Sequence, residues 1–286
     1  PIACKPAVMA ETDQYVAFGS EYRALVNLPG IDQSRIWAPE PATVYFWSHD
    51  SAPTAHEKRA LMPTFYPHVQ VLPALNTSLS AQPGSTNQTI WEILNPKGAH
   101  AIAVGLDAPI EVNIKGSTGY YCAGMNKQAT VHVHGSVGPG TAENMMSGTV
   151  IVEGDASQYA GATGNGGTLI IKGNASSRCG IPMKGIDIIV HGNIGHMSAF
   201  MAQSGNLVVC GDAGEALGDS LYEARLFVRG SVKSLGADCI EKEMRAEHLD
   251  LLSELLARGG CDAKAEQFKR YGSARKLYNF NIDNAY

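Results

Sequence analysis

His132 and His134 flank Val133, so on an extended chain their side chains project from one face. Glu153 follows His134 by 19 residues. Two imidazoles and a carboxylate could hold a divalent metal. Solvent-facing His and Glu are far commoner than ligands, however, and no metal site is expected here. His196, in HGNIGHMSAF, reads as a polar turn residue. Lys127 lies in YYCAGMNKQA, which the repeat below stacks beside NMMSG and GATGNGG. Small residues and methionines at that density suit a contact or channel-lining face more than a catalytic one. The six cysteines, Cys4, Cys122, Cys179, Cys210, Cys239 and Cys261, show no CxxC pair and no metal-type spacing. They are expected to act as small buried hydrophobes. No phosphate loop, dinucleotide fingerprint, GxSxG or HExxH motif is present. The chain is therefore expected to hold no catalytic residue, cofactor or metal of its own.

The elements carrying these residues follow a repeat. Gly116, Gly135, Gly154, Gly173, Gly192, Gly211 and Gly230 stand 19 residues apart, each closing a short apolar strand. Two places earlier stand Ile114, Val133, Val152, Ile171, Val190, Val209 and Val228; four places earlier all seven are Val, Leu or Ile. Alternate positions share a strand face, so both columns should point inward. The place before each glycine is mostly polar and should face out. After it comes Ser, Asp or Asn in all seven repeats, types that bond nearby backbone at turns. The glycine is expected at a corner, supplying either a positive φ or a close backbone approach. A constant period predicts coils stacked in register: an all-β, right-handed parallel β-helix with 19-residue coils, plus a C-terminal helix and tail. Cys122 and Cys179 share a column three coils apart, too far for a disulfide.

Four segments are expected. Residues 1–50 carry strands, 51–90 a linker and cap, 91–236 the β-helix, and 237–286 a helix and aromatic tail. IWEIL and AIAVGL read as irregular strands capping the first coil. Asp238 with Glu241 resembles a helix cap, and Ile240, Met244, Leu251, Leu252 and Leu255 follow helical spacing. Gly259 and Gly260 should stop that helix, which would close the far end of the rod. Tyr271, Arg275, Tyr278 and Phe280 form an aromatic and basic strip that either packs along the rod or meets a partner. In the 286-residue chain a net charge of -5 argues against nucleic acid as a partner. With no apolar run of membrane length, a cytoplasmic location off the membrane is expected.

The stretches YYCAGMNKQA, ENMMSG, DASQYAGATG, NASSRCGI, KGIDIIVHGNIGHMSAFM, SVKSLGADCIEKEMR and RYGSARKLYNFNIDNA carry a family resemblance across about residues 62–286. They resemble the Gly-rich β-helix domain that ends the glutamate synthase large subunit. More closely, they resemble the small β-helix subunit of glutamate-synthase-like complexes such as N-methylglutamate synthase. A more distant likeness runs to the β-helix subunit of formylmethanofuran dehydrogenase and its formyltransferase relatives. AVMAET, YVAFGSEYRAL and WAPEP are similar to the last strands of a class II glutamine amidotransferase. That class works through an N-terminal cysteine, whereas residue 1 here is Pro and Cys4 has no free α-amine, so no such site carries over. The resemblance implies a non-catalytic subunit that braces an amidotransferase-like subunit and an FMN- and iron–sulfur-containing one. It would also wall a passage for ammonia or methylamine. The competing implication is a formylmethanofuran-type complex.

Overall fold

The computed structural model describes residues 8–11, 16–19, 29, 36–37, 64–65 and 90–276. The chain divides into two compact units, Pro1–Leu61 and Met62–Tyr286. In the first, β1 (Val8–Glu11) pairs antiparallel with both β2 (Val16–Gly19) and β3 (Ile36–Trp37).

The second unit is a parallel β-solenoid of about seven turns. Its main sheet runs through β4 (Thr64–Phe65), β5 (Ile90–Leu94), β6 (Glu111–Lys115), β7 (Thr130–Val133), β8 (Thr149–Val152) and β9 (Thr168–Ile171). It continues through β10 (Lys184–Val190), β11 (Ser204–Val209) and β12 (Arg225–Val228). Parallel strand partners from β6 to β12 stand 19 residues apart, as Val112↔Val131 and Val131↔Val150 do, except at a bulge where Lys184 pairs with Ser204. The first turn is longer: Ile90 pairs with Glu111. A second line of bridges, Val137↔Ala156↔Ala175↔Ile194↔Ala213↔Val232, keeps the same spacing on another side of the coil. Both inward columns are fully buried, from Val112 and Ile114 through Leu226 and Val228. Burying each such side chain contributes about 1.5–3 kcal/mol.

The corner glycines work through close approach. Only Gly116 among the seven has a positive φ, +141°. From Gly154 onward each glycine N–H donates to the glycine carbonyl one coil earlier, at 2.9–3.1 Å. The Ser, Asp or Asn after each glycine builds a parallel ladder: its side-chain oxygen accepts the backbone N–H of its counterpart in the next coil. The rungs run Ser136 N–H to Ser117 Oγ (3.0 Å), Asp155 to Ser136 Oγ (3.1 Å), and Asn174 to Asp155 Oδ1 (2.7 Å). They continue Asn193 to Asn174 Oδ1 (2.9 Å), Asp212 to Asn193 Oδ1 (2.8 Å) and Ser231 to Asp212 Oδ1 (2.7 Å). That ladder occupies the space a glycine Cβ would need.

The turns opposite use left-handed backbone at fixed places. Five residues after the glycine, Tyr121, Tyr159, Arg178, Met197 and Ala216 have φ of 54–64°. Seven places after it stand only Ala and Gly: Ala123, Ala142, Gly161, Gly180, Ala199 and Gly218, all with positive φ. Such conformations cost about 1 kcal/mol or more in a non-Gly residue. Hydrogen bonds to the next coil offset that, as Tyr121 N–H to Pro139 O at 2.8 Å and Met197 N–H to Glu215 O at 2.8 Å do.

Four local expectations are corrected. AIAVGL is a turn with Ala101, Ala103 and Gly105 at positive φ, whereas IWEIL is the regular strand β5. Residues 239–242, expected in a helix, form β13 (Cys239–Lys242). Asp238 is no helix cap: its carboxylate accepts Ser273 Oγ at 2.6 Å and the Lys276 N–H at 3.0 Å. The helix α1 begins later, at Ala246, and ends at Gly259, with Gly260 as a left-handed C-cap (φ 63°). It does not close the end of the rod. Leu252, Leu255 and Leu256 pack with Ile170, Ile189, Val208 and Phe227, outward residues of β9–β12. The end is closed instead by β14 (Lys269–Ser273), antiparallel to both β12 and β13. An unpaired edge strand invites further pairing, and reversing direction stops the stack.

Candidate functional site

The outward strand positions form a polar strip. His132 and His134 lie side by side, ring centroids 4.0 Å apart. They do not converge on a common point. His132 Nε2 meets Glu153 Oε1 at 2.6 Å, while His134 Nε2 lies 3.2 Å from Lys115 Nζ and 3.1 Å from Asn113 Oδ1. The His132 hydrogen bond holds the Glu153 carboxyl below its ordinary value. Partial burial, with the His132 and Lys115 charges, pushes His134 down. Farther along, His191 Nε2 lies 2.9 Å from Gly259 O, and a carbonyl only accepts, so Nε2 carries the proton there. Lys172 Nζ donates to the same oxygen at 2.7 Å. This pair pins the end of α1 to the sheet. His196 is exposed in a turn, and Lys127 forms an exposed ion pair with Asp107 at 2.7 Å. Among the described residues no three His, Cys, Asp or Glu side chains are grouped to hold a metal.

Cys122 and Cys179 are buried in the solenoid core, which pushes their thiols up to about 11 and about 12. Cys239 is raised likewise, to about 12. One pairing was not foreseeable from spacing. Cys210, outward-facing at the place before Gly211, meets Cys261 beyond the end of α1 with the sulfurs 3.0 Å apart. The helix buries Cys210, and that desolvation, with the neighbouring thiol, raises it to about 12. A protonated thiol is a poor nucleophile and a poor ligand.

The turns after the corner glycines carry exposed apolar side chains: Tyr120 (54% exposed), Met125 (44%), Met146 (48%) and Met201 (38%). Met125 and Met201 occupy one column, nine places after Gly116 and Gly192. Of the expected tail strip, Tyr271 is only 6% exposed, because it is held in β14 between β12 and β13. Arg275 is exposed and pairs with Glu223 at 2.8 Å. Tyr278 and Phe280 lie outside the described residues. No helix among the described residues is long and apolar enough to cross a membrane.

Stacked coils, a satisfied polar strip and largely buried thiols define a β-solenoid whose exposed features suit contact. No family model matches the sequence, and no solved structure matches it. Two curated proteins of Rhizobium meliloti (strain 1021) do. Protein GlxC is 68% identical over 211 residues, which is 73% of this chain and 92% of GlxC. The chain belongs to the GlxC family. The glutamine amidotransferase-like protein GlxB is 83% identical over 52 residues at the N-terminal end, 18% of this chain and 17% of GlxB. The chain thus spans about a sixth of GlxB.

Proposed function

We propose that the chain is a non-catalytic structural subunit of a glutamate-synthase-like complex of the N-methylglutamate synthase type. In this reading the solenoid holds an amidotransferase-like subunit and an FMN- and iron–sulfur-containing subunit at fixed separation. One observation carries it: a single polypeptide includes both a GlxC-like stretch and a stretch similar to the amidotransferase-like GlxB. Covalent linkage of segments that belong to two separate proteins elsewhere is a way of raising their effective concentration.

The physics of the rod supports bracing. Coils tied to their neighbours by backbone ladders make a stiff spacer, and a fixed spacer is what successive reactions at separate sites need. The exposed methionines of the turns, polarizable and unbranched, adapt to an opposing surface. They would meet a partner or wall a passage for ammonia or methylamine. Flavin and iron–sulfur chemistry belongs to the partner.

The test is co-expression with and without the amidotransferase-like and FMN subunits. The expected result is one size-exclusion peak holding all of them, with flavin absorbance in the complex and none in this chain alone. If the chain elutes alone beside an assembled, active complex, the reading fails. Stoichiometric flavin in the isolated chain would also defeat it.

A further inference from the structure

At the closed end of the solenoid, a cleft of about 570 Å³ lies between the starts of β10–β12 and the β13–β14 cap. Five cations, Arg225, Lys242, Arg245, Arg270 and Arg275, line it, against two carboxylates, Glu223 and Glu243. In a chain with 22 Lys and Arg against 27 Asp and Glu, that is a local reversal of sign. Both carboxylates are already engaged: Glu223 with Arg275 at 2.8 Å, and Glu243 with Arg245 at 3.2 Å. Arg270 donates Nε and Nη2 to the Glu243 backbone carbonyl, at 3.0 and 2.8 Å. Among the described residues Arg225 reaches only Asn206 Oδ1, at 3.5 Å. Among the described residues neither of these two guanidiniums, nor Lys242, has a carboxylate at salt-bridge distance.

Burial and the like charges of Arg245 and Arg225 push Arg270 below its ordinary value. His248, in the first turn of α1, is lowered by burial and then by Arg270. Cations crowded into a partly desolvated cleft repel one another unless an anion lies between them. The volume falls in the range of small-molecule sites, and guanidiniums match planar or tetrahedral oxyanions through paired N–H donors.

We propose that this cleft binds a small organic dianion, its carboxylate or phosphate groups held by Arg225 and Arg270 with Lys242 beside them. This site is independent of the assembly reading above and does not need it.

The test is calorimetric titration of the full chain at low salt with two probes, succinate for the carboxylate source and glycerol 3-phosphate for the phosphate source. At least one probe should bind. Arg225→Gln should weaken it about tenfold, and the Arg225→Gln/Arg270→Gln pair more, as the loss of one or two charge-assisted hydrogen bonds implies. Arg225→Gln is the safer variant for folding, because its guanidinium has one long contact. A control pair on other coils, Lys115→Gln/Lys127→Gln, should leave binding unchanged. Failure of both probes, equal weakening by the control pair, or full binding by the double variant would overturn the proposal. Binding of an acidic peptide alone, lost in Arg225→Gln, would also overturn it and make the cleft a protein-docking surface.

Discussion

Gly173→Ala should destabilise the solenoid by about 2–4 kcal/mol. A Cβ there would stand 2.7 Å from Gly154 O and closer still to Asp155 Oδ1. Asp155 Oδ1 accepts two hydrogen bonds, from Asn174 N (2.7 Å) and Asn174 Nδ2 (3.1 Å), and displacing it breaks that rung. At an exposed position those two bonds contribute about 0.5–1.5 kcal/mol each. Prising the coils apart against the Gly154 carbonyl costs about 1–3 kcal/mol more, partly relieved by relaxation. The melting temperature, followed by circular dichroism, should fall by about 5–15 °C for a chain of this size. Gly272→Ala is the control, since its nearest neighbour, Lys242 Cγ, is 3.6 Å away, and it should melt near wild type. An unchanged melting temperature for Gly173→Ala, or an equal drop for Gly272→Ala, would refute the stacked-glycine explanation.

Acid should loosen the chain as pH falls below about 6.5. His134, His191 and His248 are all held below the ordinary value of 6.5, so the unfolded chain takes up protons first and stability declines from that value downward, measured as melting temperature against pH. His248 Nδ1 accepts the Arg245 N–H at 3.2 Å, so His248→Phe should lower stability at neutral pH and flatten that decline. Excess oxidised glutathione should join Cys210 to Cys261, seen as the loss of two hydrogens in the mass of the linked peptides, and Cys261→Ser should abolish the link. Truncation before residue 265 removes buried Ala265, Phe268 and Tyr271 and should lower the melting temperature sharply. Truncation after Lys276, which removes Tyr278 and Phe280, should weaken retention of partner subunits on size exclusion.

The solenoid was legible because its core obeys a local rule. Two inward columns, two and four places before each glycine, repeat in β-branched and aliphatic types that only a stacked strand explains. The glycine column announced a corner but not its cause. Close approach depends on the coil below, where Asp155 or Asn174 fills the space, and that relation spans 19 residues. The left-handed turn columns were less legible still. Tyr121, Tyr159, Arg178, Met197 and Ala216 share a conformation without sharing one side-chain chemistry. Their φ is imposed by backbone bonds to neighbouring coils, which override local preference.

The position of α1 is written in a further column. Three places before each glycine the residues run Asn113, His132, Ile151, Ile170, Ile189, Val208 and Phe227. A column that faces out should stay polar, and its turn to apolar types in the later coils marks the surface that α1 covers. Cys210 carries the same mark among Lys115, His134, Glu153, Lys172, His191 and Arg229. Residues 239–242 misled because Ile240 and Met244 fit a helical stripe, while the outer edge of β14, the strand that covers β12, needed an antiparallel partner more than α1 needed another turn. The same reversal of direction explains why the basic cleft was invisible in the sequence. Arg225 opens β12, Lys242 ends β13, Arg245 caps α1 and Arg270 sits in β14, with no motif linking them. Only the antiparallel cap gathers them, so whatever that cleft binds should report on the integrity of the solenoid's end: a ligand of the cleft should raise the melting temperature of the wild-type chain and not that of a chain truncated before residue 265.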